Sequence, residues 1–148
     1  MIQRIQTVWL ILIVALLVTF IFFPLLSSGA PAEFELGLLS LATLDGIWLV
    51  LLIAGYALIL LCIYFAISGI MSFKNRKKQM SKIRILQTLL VVVIIWISGV
   101  AYTASQSDMQ WKFEFVVLIP IASMVLSALA YRGVQNDEKL IRSVDRLR

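Results

Sequence analysis

A chain of 148 residues that is 61% hydrophobic and 14% charged, with a mean hydropathy of +0.99, is too apolar for a water-soluble domain, which averages about 45–50% apolar and about 25% charged. One cysteine and no histidine exclude an intrachain disulfide, a Cys/His zinc site and an ordinary His-ligated haem. The net charge is +5, and its placement is more informative than its size.

Residues 5–32, 46–73, 85–107 and 115–131 contain no Asp, Glu, Lys or Arg. A helix that crosses bilayer hydrocarbon needs roughly 20 such residues, within a range of about 17–25. The spacing therefore predicts an all-α integral membrane protein: one membrane domain with four transmembrane helices, over 5–26, 46–73, 85–104 and 113–131. Of the 13 cations, only Lys112 falls on the side assigned to the 27–45 and 105–112 connections. The Lys/Arg bias therefore predicts that both termini and the 74–84 connector face the cytoplasm.

Span 1 opens with Gln3, Arg4 and Gln6 at headgroup level and Trp9 as an interfacial anchor. Ser28-Gly29-Ala30 after an apolar run mimics a secretory cleavage site, but Pro31 would directly follow the cut, so the segment reads as an uncleaved helix. Pro24 lies near its far end, where a helix can stop at small cost. After the turn-rich SSGAPA, the stretch 32–36 alternates polar and apolar residues, the period of a strand. Residues 110–115 repeat the pattern, with Trp111, Phe113 and Phe115 on one side. Segments 32–37 and 110–115 can pair as a small two-stranded cap outside, with Phe34, Leu36 and Phe113 on one face; the alternative is a pair of interfacial turns. Two strands alone are marginal in water, so such a cap needs the bundle beneath it.

Span 2 carries Gly55, Cys62 and Gly69 at intervals of seven, with Ala66 beside them. Small residues on one helix face allow close backbone approach where lipid removes the hydrophobic drive. This face reads as a seam inside the molecule, and Cys62 as a packing residue. Residues 74–84 follow with six cations and no acid. Lys74, Arg76, Lys77, Lys78, Lys82 and Arg84 read as topology determinants at the lipid headgroups. Aromatic interleaving for base stacking is missing apart from Phe73, so nucleic acid is not an expected partner.

In span 4, Pro120 is expected to free the Val116 carbonyl and kink the helix. Ser123 and Ser127 form a small packing stripe with Ala130. Beyond Arg132-Gly133, residues 136–148 read as a short amphipathic cytoplasmic helix. Asn136 or Asp137 can cap it, Leu140, Ile141, Val144 and Leu147 form its apolar stripe, and arginines close it. So short a helix is marginal alone, and the stripe must lie on headgroups, on its own bundle or on a partner.

None of the four windows holds an ionisable residue, the usual mark of an ion or proton path. Ser68, Ser98, Ser123 and Ser127 have no His, and no acid or Lys within the windows, to activate them. Glu33, Glu35, Asp45, Asp108 and Glu114 are scattered over two connections. The expectation is a protein with no catalytic residues, metal or cofactor.

The opening MIQRIQTVWL resembles that of a group of small bacterial integral membrane proteins, domain-of-unknown-function family 4293. So does the close, in Arg132-Gly133-Val134, Asp137-Glu138, Leu140-Ile141-Arg142-Ser143 and Asp145-Arg146-Leu147-Arg148. The resemblance implies a four-span inner-membrane protein and supplies no catalytic residues.

The first functional expectation is a non-enzymatic accessory, scaffold or docking subunit in the bacterial inner membrane. Its tail would bind a protein partner in or on that membrane through Arg132, Asp137, Glu138, Leu140, Ile141, Arg142, Val144, Asp145, Arg146 and Arg148. The alternative is a carrier of an apolar small molecule or lipid inside the bundle, lined by Trp48, Tyr56, Tyr64, Trp96 and Tyr102.

Overall fold

The computed structural model describes residues 3–28, 34–38, 40, 46–73, 75–106 and 111–145, and they are mostly helical. The order is α1 (Gln3–Phe22), β1 (Leu26–Ser28), β2 (Phe34–Leu36), α2 (Ile47–Met71), α3 (Arg76–Ser105), β3 (Trp111–Phe113), a 3-10 turn (Phe115–Leu118) and α4 (Ile119–Asp145). Three stretches, Ile47–Met71, Arg76–Ser105 and Phe115–Lys139, are long and apolar enough to cross a membrane; α1 adds a shorter apolar run, Gln6–Phe22. Each helix packs chiefly on two others: α1 and α3 both pack on α2 and α4.

The core is a seam of period 3.5. On α3 the buried residues are Gln79, Ile83, Leu86, Leu90, Val93, Ile97, Val100 and Ala104, in alternating steps of four and three. α2 buries Leu52, Gly55, Ile59, Cys62, Ala66 and Gly69 in the same rhythm. α1 buries Gln6, Leu10, Ile13, Leu17 and Phe20, and α4 buries Ser123, Ser127, Ala130, Val134 and Asp137. Such spacing keeps one stripe of each helix facing its neighbours along its whole length. The outward faces are equally apolar: Val50, Ile53, Leu60, Ile95 and Leu118 are more than half exposed. Apolar surface of that extent calls for hydrocarbon rather than water around it, as in a membrane protein.

One end of the bundle is closed by a three-stranded antiparallel sheet in the order β2-β1-β3. This corrects the expected two-stranded cap. The two alternating segments do form strands, but each pairs with Leu26–Ser28 instead of with the other. The cause is Pro24, which disfavours helical backbone at the residue before it. α1 stops at Phe22 instead of running to residue 26, and the apolar pair Leu25-Leu26 leaves the helix with surface still to bury. Leu26 takes the centre, opposite Leu36 on one side and Phe113 on the other. Leu25, Leu26 and Leu36 are all buried, whereas Phe113 is exposed. Leu25 adds two more backbone bonds, donating to Leu36 and accepting from Glu114. Ser27 Oγ donates to Glu114 Oε1 at 2.7 Å.

Span 4 also begins differently from expectation. The α-helix starts at Ile119, with Pro120 in its first turn, where a missing N–H is tolerated. The Val116 carbonyl accepts from the Ile119 N–H within the preceding 3-10 turn. The helix thus starts where a kink was expected.

Two further boundaries move at the opposite end. The basic stretch is mostly helix instead of connector, because α3 begins at Arg76. Asn75 is its N-cap, with a side chain that accepts from the Lys78 N–H at 3.2 Å, and the seam continues down to Ile83 and Gln79. The tail is no separate helix either: α4 continues through Arg132-Gly133 to Asp145. Neither Asn136 nor Asp137 caps a helix start.

Candidate functional site

Five polar residues are buried among those described, namely Gln6, Gln79, Ser123, Ser127 and Asp137, and all five occupy seam positions. Three of them end their stripes at the same end of the bundle: Gln6 on α1, Gln79 on α3 and Asp137 on α4. Gln6 Nε2 donates to Asp137 Oδ2 across 131 positions of sequence, with the two residues only 5% and 7% exposed. A hydrogen bond to a buried carboxylate is worth about 1.5–3 kcal/mol, and a buried group left without its partner costs a comparable amount.

Gly133 makes this contact possible. A Cβ placed there would stand 2.9 Å from Gln6 Cγ, so a larger residue forces the glutamine side chain to shift. Gly133 is a point of close approach between α1 and α4. Asp137, expected on a partner surface, is instead committed inside the chain.

The cations sort into distinct roles. Lys82 Nζ donates to the Ser68 carbonyl at 3.1 Å and to Ser72 Oγ at 2.6 Å, placing a positive charge on the carbonyl end of α2 where the helix dipole favours it. Ser72 Oγ also donates to the Ser68 carbonyl at 2.8 Å. Arg84 Nη2 donates to Tyr131 Oη, and its guanidinium lies 5.4 Å from the centre of that ring. Arg76 is half-buried, with Nη1 enclosed and unpartnered among the described residues. Lys77 and Lys78 are exposed. Lys74 lies outside the described residues.

In the tail, Arg132 and Lys139 are exposed and Glu138 is half-buried. Leu140, Ile141, Arg142, Val144 and Asp145 continue the helical backbone, while Arg146 and Arg148 lie outside the described residues.

Gly55, Cys62, Gly69, Ser123 and Ser127 all lie on buried faces. They are not equivalent. A Cβ at Gly55 would stand 2.0 Å from the Trp96 ring, whereas at Gly69 the nearest atom is Leu10 Cδ1 at 3.7 Å, an ordinary contact. Trp96 therefore sits directly on α2, with its Nε1 donating to the Leu51 carbonyl at 2.9 Å. Ser127 Oγ donates to the Met124 carbonyl at 2.8 Å, while Ser123 Oγ is buried without a partner among the described residues. The aromatic residues considered as a ligand lining do not converge. Tyr64 and Tyr102 point outward, 62% and 68% exposed, and Trp48 packs toward Trp111 at 5.8 Å between ring centroids. A small open cleft of about 20 Å³, enough for about one water, lies at the sheet end between Phe22, Pro24, Glu35, Gly37, Leu38 and Ser40.

The family model described as Domain of unknown function (DUF4293) matches residues 2–147. The chain belongs to the DUF4293 family. No curated protein and no solved structure matches it. The two DUF4293-like blocks, at the start and the end of the sequence, meet in the fold: Gln6 lies in the first, and Gly133 and Asp137 in the second. Gln6, expected at headgroup level, is interior, and so is Gln79, for which no role was expected. The signal was present in the seven-residue repeat: extended from Ile83 and Leu10 by one step of four, it lands on both glutamines.

Proposed function

We propose that this DUF4293 protein spans the bacterial inner membrane four times, with both termini and the 72–75 turn in the cytoplasm. In this reading it is a non-enzymatic accessory or docking subunit whose tail binds a protein partner. The orientation is supported by the cation bias and by where the cations fall. Arg84 and Lys82 sit at the same end of the bundle as the Gln6–Asp137 bond, beyond the uncharged windows.

The observation that carries the docking reading is the continuity of α4 past Asp137 to Asp145, with its root fixed to α1. A helix held rigidly at its base loses less freedom on binding than a flexible tail, and preorganisation of that kind favours affinity. Arg132, Glu138, Leu140, Ile141, Arg142, Val144, Asp145, Arg146 and Arg148 remain the proposed contact set. Asp137 becomes the residue that holds the helix in place.

The test compares the full chain with one ending at Lys139, which retains Val134 and Asp137 and so keeps the bundle contacts. Both are cross-linked in intact membranes and purified. The expected result is a partner that cross-links to the full chain and not to the shortened one. Identical cross-linking patterns would contradict the reading.

A further inference from the structure

Arg84 is the last charge before the uncharged stretch 85–107, and Tyr131 ends the uncharged stretch 115–131. The bond between them joins α3 and α4 at the common boundary of those two stretches. Arg84 is exposed, and Tyr131 is its one partner among the described residues. Its positive charge is therefore uncompensated by any described carboxylate. Tyr131 accepts through its oxygen, which leaves the phenolic hydrogen to donate elsewhere. Most of the five N–H groups of the guanidinium also remain open.

An oxygen-rich anion fits this arrangement. It would accept from a planar fork and a phenol that already hold each other by a hydrogen bond and a cation–π contact. Arginine matches phosphate geometry in a way that lysine does not. The position, at the end of two apolar helices, selects the anion's source. We propose that Arg84 and Tyr131 bind the phosphate of an anionic phospholipid headgroup in the groove between α3 and α4. The inference rests on the proposed cytoplasmic placement of this end.

The full-length protein is reconstituted in nanodiscs of phosphatidylcholine and phosphatidylglycerol. The lipid kept after detergent washing is then counted by native mass spectrometry. Wild type is expected to retain phosphatidylglycerol over phosphatidylcholine. R84A should lower that preference by about fivefold, the equivalent of roughly 1 kcal/mol for one cation at an anionic surface. Tyr131→Phe, which keeps the ring and removes the hydroxyl, should lower it by less. The pair K77A/K78A, on exposed cations nearer the start of α3, should leave the preference intact. Equal loss in K77A/K78A and R84A would overturn the site in favour of diffuse attraction, as would unchanged retention in R84A. Competition by millimolar inorganic phosphate, or by an acidic peptide at the same residues, would overturn the lipid assignment. Thiol labelling of K77C and R132C, each in a C62S background, tests the membrane orientation separately. Labelling from the cytoplasm together with unchanged retention in R84A would reject the headgroup site alone.

Discussion

The two ends of this bundle are built by different means. At the sheet end, three strands of three residues each supply backbone hydrogen bonds. Aromatic shape fills the gaps: Phe23 meets Phe115 edge-on at 5.6 Å and Trp48 approaches Trp111. Nearby, Trp96 occupies the notch at Gly55. At the other end, specific side-chain pairs do the joining: Gln6 with Asp137, Lys82 with the last turn of α2, and Arg84 with Tyr131. Backbone pairing and ring packing tolerate many side chains, whereas a buried polar pair needs particular residues at particular positions. Gln6, Gly133 and Asp137, from the first and last stretches of the sequence, meet at the paired end.

The largest expected effect lies at the end held by shape. Gly55→Leu drives a side chain into a rigid indole and breaks the Trp96–Leu51 bond. It should destabilise by about 3 kcal/mol or more, the upper range for overpacking, seen as a large drop in detergent melting temperature. Adding Trp96→Ala should recover part of that loss, and a double variant as unstable as the sum of the two would refute the notch. At the end held by pairing, Asp137→Ala leaves the Gln6 amide buried and unpaired, with an expected cost of about 2 kcal/mol. Asp137→Asn retains an acceptor and should cost less.

Lys82→Met keeps the aliphatic stem but removes the cap on α2. A loss of about 1 kcal/mol is expected, with faster amide exchange in the last turn of α2 as its local signature. Smallest is Gly99→Ala, at an exposed glycine with nothing within 4 Å of an added Cβ. The better helix propensity of alanine should stabilise by roughly 0.5–1 kcal/mol. If Gly55→Leu and Gly99→Ala acted alike, the distinction between a packed and an open face of the bundle would fall.

Much of the helical frame was legible in the sequence, because charge avoids the interiors of the apolar helices and small residues repeat along α2 at intervals of seven. The helix ends were harder to read. A charge in the sequence marks where an apolar environment stops and not where the backbone stops being helical. α3 therefore begins eight residues before Arg84 ends the basic run, and α4 runs past Arg132. β1 was hidden because Leu25-Leu26 reads as continuing span 1, and only Pro24 signals that it leaves. The Gln6–Asp137 pair joins opposite ends of the chain, so no local pattern announces it. Only the continuation of the heptad rhythm into polar residues marks those positions as interior.

The account depends most on α4 being fixed to α1 through that pair, and a double-mutant cycle of Gln6→Ala and Asp137→Ala reads it directly. The expected outcome is a coupling energy of about 1 kcal/mol or more, within the range for residues in contact, with the double variant little worse than Asp137→Ala alone. Additive losses would mean that Gln6 and Asp137 are not coupled in the folded protein, and the docking proposal would lose its structural base.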